Sequence, residues 1–106
     1  MLFQAVADPR RRQILDLVRS GERSVGQLVT ELGISQPSVS KHLRVLREAG
    51  LVRARVDEQR RLYQLTAGPL AELDAWLAGY RQFWAQRLDR LEQHLDEMDG
   101  DETGGP

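Results

Sequence analysis

The chain has 106 residues, no cysteine and a formal net charge of −1. Its length sets a single domain with a limited core, and the missing thiols exclude disulfides, a thiol redox switch and thiolate metal sites. No apolar run approaches the ~20 residues of a membrane span and no charged-then-apolar leader opens the chain, so a cytoplasmic protein is expected.

The net charge hides an asymmetry. Residues 1–61 hold 12 Arg or Lys against 7 Asp or Glu, a net of +5, whereas residues 62–106 hold 3 against 9, a net of −6. Basic and acidic halves of this kind point to a polyanion partner for the first half only.

Leu2, Phe3 and Val6 form a short apolar stretch, enough for a helical turn or two. Asp8 and Pro9 then read as N-cap and first helical position. Ile14, Leu15, Leu17 and Val18 give an amphipathic helix from about Pro9 to Arg19, ended near Ser20 and Gly21. Arg10, Arg11 and Arg12 crowd its start, where the helix dipole disfavours cations. Either phosphate or a solvated setting with nearby Asp or Glu is expected to compensate them.

Ser24 to Ala49, SVGQLVTELGISQPSVSKHLRVLREA, reads as two short helices around a tight turn. Ser24 and Gln27 have capping-box spacing, and Val25, Leu28, Val29 and Leu32 form one apolar face. Gly33 follows where a helix end favours the left-handed region. Ile34 is the apolar plug of the turn, Ser35 the second cap, and Pro37 is tolerated in a first turn that needs no donor from it. In the second helix Val39, Leu43 and Leu46 point one way, while Pro37, Ser38, Ser40, Lys41 and Arg44 point broadly the other. Small hydroxyl residues followed by cations suit a helix in the DNA major groove: they permit close approach, bond base edges or phosphate, and meet backbone charge. This is the helix-turn-helix pattern.

Gly50 stops the second helix. Leu51 to Val56 reads as a strand, Asp57-Glu58-Gln59 as a polar turn and Arg60 to Leu65 as the return strand. Arg53, Arg55, Arg60 and Arg61 lie on or beside this wing. They can enter a minor groove or hold phosphate, or they can simply protect a solvated hairpin edge. Glu58 at the tip disfavours insertion of the tip itself.

Gly68-Pro69 opens a last helix whose apolar residues run from Leu70 through Leu73, Trp76, Leu77, Tyr80, Phe83, Trp84, Leu88, Leu91 and Leu95 to Met98 at spacings of three and four. A stripe that long exceeds what one small domain can cover. It reads as a dimer interface formed by Leu73, Trp76, Tyr80, Phe83, Trp84, Leu88 and Leu91 together with the first helix. Gly79 is a weak point in it. The acidic, Gly-rich end, residues 99–106, reads as a disordered tail.

The run LGISQPSVSKHLRVLREAGLV, the hairpin ending RRLYQL and the upstream ADPRRRQIL resemble the ArsR/SmtB family of bacterial repressors over roughly Leu2 to Leu65. The resemblance implies a dimeric winged helix-turn-helix, mainly α with a small β-hairpin, in which residues 1–98 form the domain and about 69–98 its dimerisation helix. It implies binding to a pseudo-palindromic double-stranded DNA operator. Many members resemble metal sensors, with cysteine pairs before the recognition helix or Asp and His clusters on the last helix. Here the first place reads TELGIS, without a thiol. On the last helix, His94 has neither Asp96 nor Glu97 at three or four residues, so the ligands do not converge. No metal and no cofactor are expected. His42, at the edge of the core face, reads as packed or phosphate-bonding. Gly26, Gly33 and Gly50 are isolated, so there is no phosphate loop, and no nucleophile stands at a recognised spacing from a base. An enzyme is not expected.

The DNA-binding set expected from these patterns is Gln36, Pro37, Ser38, Ser40, Lys41, Arg44, Arg55, Arg60 and Arg61. A winged helix used as a protein-interaction module is the alternative from another class. A repressor sensing an apolar ligand among Trp76, Tyr80, Phe83 and Trp84 at the dimer interface is a third reading.

Overall fold

The computed structural model describes residues 2–103, with side chains through residue 97. In chain order it contains α1 (Leu2–Ala7), α2 (Pro9–Ser20), β1 (Arg23–Ser24), α3 (Val25–Leu32), α4 (Gln36–Glu48), β2 (Val52–Asp57), β3 (Arg60–Leu65) and α5 (Gly68–Thr103). The chain divides into two units, Met1–Ala71 and Glu72–Pro106. Met98 and residues 104–106, the ends of the expected stripe and tail, lie outside the described side chains and residues respectively. Helical backbone reaches Thr103, beyond the start expected for the tail.

The Asp8 carboxylate accepts the backbone N–H groups of Arg10 at 2.8 Å and Arg11 at 3.2 Å, capping α2. Those hydrogen bonds, the one from Arg11 foremost, hold its pKa below the ordinary carboxylate value. Within the chain, the main partners of Arg11 and Arg12 are backbone carbonyls, with Asp8 a looser 3.9 Å from Arg11. Arg11 donates to the carbonyls of Ala5 and Gln4 at 2.8 and 2.7 Å, and Arg12 donates to those of Val6 and Ala7, both at 2.9 Å. These are the four terminal carbonyls of α1, the ones with no partner inside their own helix. Two cations disfavoured at the N-terminus of α2 are thus placed at the negative C-terminus of α1.

The helix-turn-helix forms as its caps dictate. Ser24 and Gln27 close the capping box, with the Gln27 N–H donating to Ser24 Oγ at 3.2 Å and the Ser24 N–H to Gln27 Oε1 at 2.8 Å. Gly33 ends α3 at φ 68°, in the left-handed region. Ser35 caps α4, accepting from the Ser38 N–H at 3.3 Å. At the other end of α4 the Leu51 N–H donates to the Leu46 carbonyl and the Gly50 N–H to that of Arg47, both at 2.9 Å, with Gly50 at φ 75°. This is a Schellman motif, and its accompanying apolar contact falls between two fully buried leucines, Leu46 and Leu51.

The first unit buries Ile14, Leu28, Val39, Leu43, Leu46 and Leu51 completely or nearly so, one apolar face from each of α2, α3 and α4 closed by the start of the hairpin. Ile34 packs against this core from the turn, as its isolation among polar residues predicts.

The sheet has the order β1-β3-β2, all antiparallel. Sequence pattern misses β1, whose two residues carry no alternation; its pairing of Arg23 with Tyr63 and Ser24 with Leu62 makes the return strand the central one. Strand β2 runs to Asp57, which pairs with Arg60, so the turn is Glu58-Gln59 rather than three residues. Glu58 adopts φ 57° there. The register also sorts the wing into two faces. Ala54 opposite Tyr63 and Val56 opposite Arg61 share one; Arg53 opposite Gln64, Arg55 opposite Leu62 and Asp57 opposite Arg60 share the other.

In the second unit α5 presents Trp76, Tyr80, Phe83, Trp84, Leu88, Leu91 and Leu95 at 41–59% exposure within a single chain. Trp76 and Tyr80 pack with ring centroids 5.0 Å apart and planes tilted by 50°, and the Arg87 guanidinium lies 4.6 Å over the Phe83 ring. Among the described residues no helix is long and apolar enough to cross a membrane.

Candidate nucleic-acid interface

Helix α4 is the candidate interface because its capping and burial divide it so sharply. Val39, Leu43 and Leu46 are buried, while Gln36, Pro37, Ser40, Lys41, Arg44 and Arg47 are exposed. Ser38 is half-buried, and its hydroxyl is engaged with Ser35 Oγ at 3.1 Å, so part of its hydrogen-bonding capacity serves the cap. An α-helix with small residues and cations on its free side fits the width of a major groove.

Arg47 lies outside the set expected from sequence, although its i, i+3 spacing from Arg44 puts it on the same face. A groove of about 540 Å³ runs between α4 and the wing, lined by Ser40, Arg44, Arg47, Glu48, Arg61 and Tyr63. It gathers three guanidinium groups and two hydroxyls against a single carboxylate, the arrangement expected of a phosphate cradle.

Pairing separates these cations from most others of the first unit, Arg19 on α2 being likewise exposed and without a side-chain partner among the described residues. Among the described residues, Lys41, Arg44, Arg47 and Arg61 make no ion pair or side-chain hydrogen bond within the chain. Other arginines are held inside it: Arg11 and Arg12 on α1, Arg23 on Glu31 at 3.0 Å and Arg53 on Gln64 at 3.0 Å. Arg60 lies 4.0 Å from Asp57, an exposed pair too loose to hold it.

Arg55, expected at DNA, is engaged elsewhere. Its Nε donates to Glu22 Oε1 at 3.0 Å and its Nη2 to Glu22 Oε2 at 2.7 Å, and it stands on the opposite face of the hairpin from Arg61 and Tyr63. The period-two alternation of a strand carries this separation, whereas a count of wing arginines does not. Hydrogen bonds from Arg55 and then Gln64 hold the Glu22 carboxyl below its ordinary pKa, and the same pairing with Glu22 raises that of Arg55.

His42 is half-buried on α4, with its Nδ1 enclosed and without a hydrogen-bond partner. His94 is exposed on α5. Among the described residues no group of three or more His, Asp or Glu side chains is placed to hold a metal ion.

A capped helix pair whose second member exposes unpaired cations beside a three-stranded wing defines a winged helix-turn-helix DNA-binding protein. Residues 8–54 match the family described as bacterial regulatory protein, arsR family. The chain is 41% identical over 101 residues to the HTH-type transcriptional regulator Rv2034 of Mycobacterium tuberculosis, covering 95% of this chain and 91% of that one. It is 33% identical over 79 residues to the transcriptional repressor SdpR of Bacillus subtilis, covering 74% and 88%. Among solved structures it is similar to a possible transcriptional regulator for arsenical resistance (TM-score 0.70, 40% identity, 88% and 94% covered). It is also similar to the homodimeric winged helix-turn-helix DNA-binding domain of Mb0332 from Mycobacterium bovis (TM-score 0.63, 32% identity, 81% and 80% covered). The chain belongs to the arsR family of bacterial regulatory proteins; it is a DNA-binding transcriptional regulator and not an enzyme.

Proposed function

We propose that the protein is a cytoplasmic homodimeric repressor that reads a pseudo-palindromic operator without metal input. In each subunit α4 enters a major groove, with Gln36, Pro37, Ser38 and Ser40 near base edges or sugar-phosphate. Lys41, Arg44 and Arg47 meet backbone phosphate, and Arg61 extends that contact from the wing; Arg60, on the other face next to the turn and only loosely paired with Asp57, reaches phosphate from the end of the wing. The observation that carries this reading is the coincidence of unpaired cations with the exposed side of α4 and the adjoining wing groove. Asp57 at the end of β2 and Glu58 in the turn keep the wing tip from pressing into a groove.

The second copy is supported by α5. Seven large apolar side chains at about half exposure, aligned on one helix, are far more than a lone small domain leaves to water. Pairing through Leu73, Trp76, Tyr80, Phe83, Trp84, Leu88, Leu91 and the first helix would bury them, and the homodimeric domain from Mycobacterium bovis is consistent with that. Two recognition helices related by a two-fold axis would address half-sites about one helical turn apart.

A gel shift against duplex from the upstream region of the protein's own gene, repeated with Lys41→Ala/Arg44→Ala, tests the reading. The wild type should shift the duplex, and the double variant should bind more weakly with a shallower salt dependence. Equal binding by the two would remove α4 from the interface.

A further inference from the structure

The sheet holds a polar cluster that the DNA-contacting face does not use. Glu22 lies in the loop between α2 and β1, outside both. Its carboxylate accepts the Arg55 Nε at 3.0 and 3.1 Å and the Arg55 Nη2 at 2.7 Å, a two-pronged pairing between residues far apart in the chain. It also accepts the side-chain amide of Gln64. Gln64 in turn accepts the Arg53 Nε at 3.0 Å through its own amide oxygen. The polar groups therefore form a chain, Arg53 to Gln64 to Glu22 and Arg55 to Glu22, joining both wing strands to the loop that precedes the helix-turn-helix.

Two physical consequences follow. A guanidinium held by both carboxylate oxygens is fixed in direction as well as neutralised. A partly exposed pair of this type gains little stability by itself, so its main effect is on where the wing sits and which wing cations remain free. Among the described residues, Arg55 is the one wing arginine held by a carboxylate at both oxygens, whereas Arg61 on the opposite face has no side-chain partner.

We propose that Glu22 is a positioning residue for operator recognition: through Arg55 and Gln64 it fixes the wing against the start of the helix-turn-helix and withholds the Arg55 charge from DNA. This rests on the DNA-binding reading above. By keeping one cation off the backbone, Glu22 lowers affinity for arbitrary sequence, and by fixing the wing it preserves the alignment that operator contacts need. Its removal should therefore narrow the gap between operator and non-operator DNA from both sides.

The test is a double-mutant cycle of Glu22→Gln and Arg55→Gln, read as the slope of log affinity against log salt on operator and on scrambled duplex. With Glu22 present, Arg55→Gln should leave the slope unchanged. Glu22→Gln should steepen it by about 0.9, one phosphate contact, on the scrambled duplex, and reduce the operator-to-scrambled affinity ratio several-fold. Adding Arg55→Gln to Glu22→Gln should return the slope to the wild-type value. A slope that falls equally in both backgrounds would show Arg55 already on phosphate and overturn the proposal, as would a Glu22→Gln slope equal to wild type. Should Glu22→Gln fail to fold, the Arg55 Nε–H resonance of the wild type decides: slow exchange with solvent, free and DNA-bound, supports the pairing, and its loss or a large shift on DNA addition overturns it. Failure of the wild type to bind any duplex would instead overturn the DNA-binding reading itself.

Discussion

The Leu51 backbone N–H reaches across Gly50 to the carbonyl of Leu46 at 2.9 Å, so α4 and the wing meet with a single left-handed residue between them. A second hydrogen bond, from the Thr66 N–H to the Leu51 carbonyl at 2.8 Å, holds the far end of the hairpin to the same residue. The angle between α4 and the wing, and hence the groove that both line, depends on this joint. Gly50→Ala should test it. At φ 75° an added Cβ is disfavoured and would also lie 3.4 Å from the Pro69 ring. The expected loss is about 1–2 kcal/mol, seen as a fall in thermal midpoint of several degrees; an unchanged midpoint would mean that the joint can be rebuilt without strain.

Arg47 should behave as a DNA contact although its position late in α4 draws less notice than the N-terminal residues. Arg47→Ala should lower the salt slope of operator binding by about 0.9, as should Arg44→Ala, with little change in sequence preference. If Arg47→Ala left the slope intact, the groove shared with Arg61 and Tyr63 would not be occupied by phosphate.

Arg11 and Arg12 should behave in the opposite manner. Their guanidinium groups hold the last turn of α1, so Arg12→Ala should release the amides of α1 to faster hydrogen exchange and lower stability by about 1 kcal/mol. The salt slope of DNA binding should not move. A reduced slope with α1 still protected would place that side chain on the DNA backbone instead.

Acid should weaken the fold through Asp8 and Glu22, whose folded-state pKa values lie below the ordinary 3.8 and 4.5. The unfolded chain binds protons on these groups first, so their stabilisation is present in full above pH ~4.5 and is lost as pH falls through the folded values. Urea midpoints measured downward from pH 6 should decline below about pH 4.5, and Glu22→Gln combined with Asp8→Asn should flatten that decline. Parallel curves for variant and wild type would assign the acid sensitivity to other carboxylates.

Trp84→Glu should dissociate the dimer. A carboxylate placed in the middle of the aromatic stripe opposes its burial against a second copy, so sedimentation should show a monomer and operator affinity should drop by more than tenfold. A dimer that survived this change would place the interface elsewhere.

Most of the first unit is readable from short-range rules. The pairs Ser24–Gln27 and Asp8–Pro9, and the glycines at 33 and 50, mark helix ends through local hydrogen bonding and backbone sterics, and each forms as its spacing predicts. The exposed side of α4 is equally legible, because burial of Val39, Leu43 and Leu46 fixes what remains outside. What sequence pattern misses is set by partners remote in the chain. Strand β1 exists only because β3 lies beside it, Arg55 is paired because Glu22 reaches it, and Arg11 and Arg12 of α2 are satisfied by a helix that precedes them. A cation's role depends on whether an acceptor stands nearby, and composition does not carry that information.

Ser24 belongs at once to β1, where it pairs with Leu62, and to α3, whose first turn it caps. The two-residue strand can gain its ladder only after the hairpin has closed, since its neighbour is the hairpin's returning arm. Folding should accordingly proceed in an order, with the local β2–β3 ribbon first and the β1 seam late. Refolding followed by pulsed hydrogen exchange would then find the Arg23 amide among the last to become protected in the first unit, whereas the Ser24 amide, held by Gln27 in the cap of α3, follows that helix.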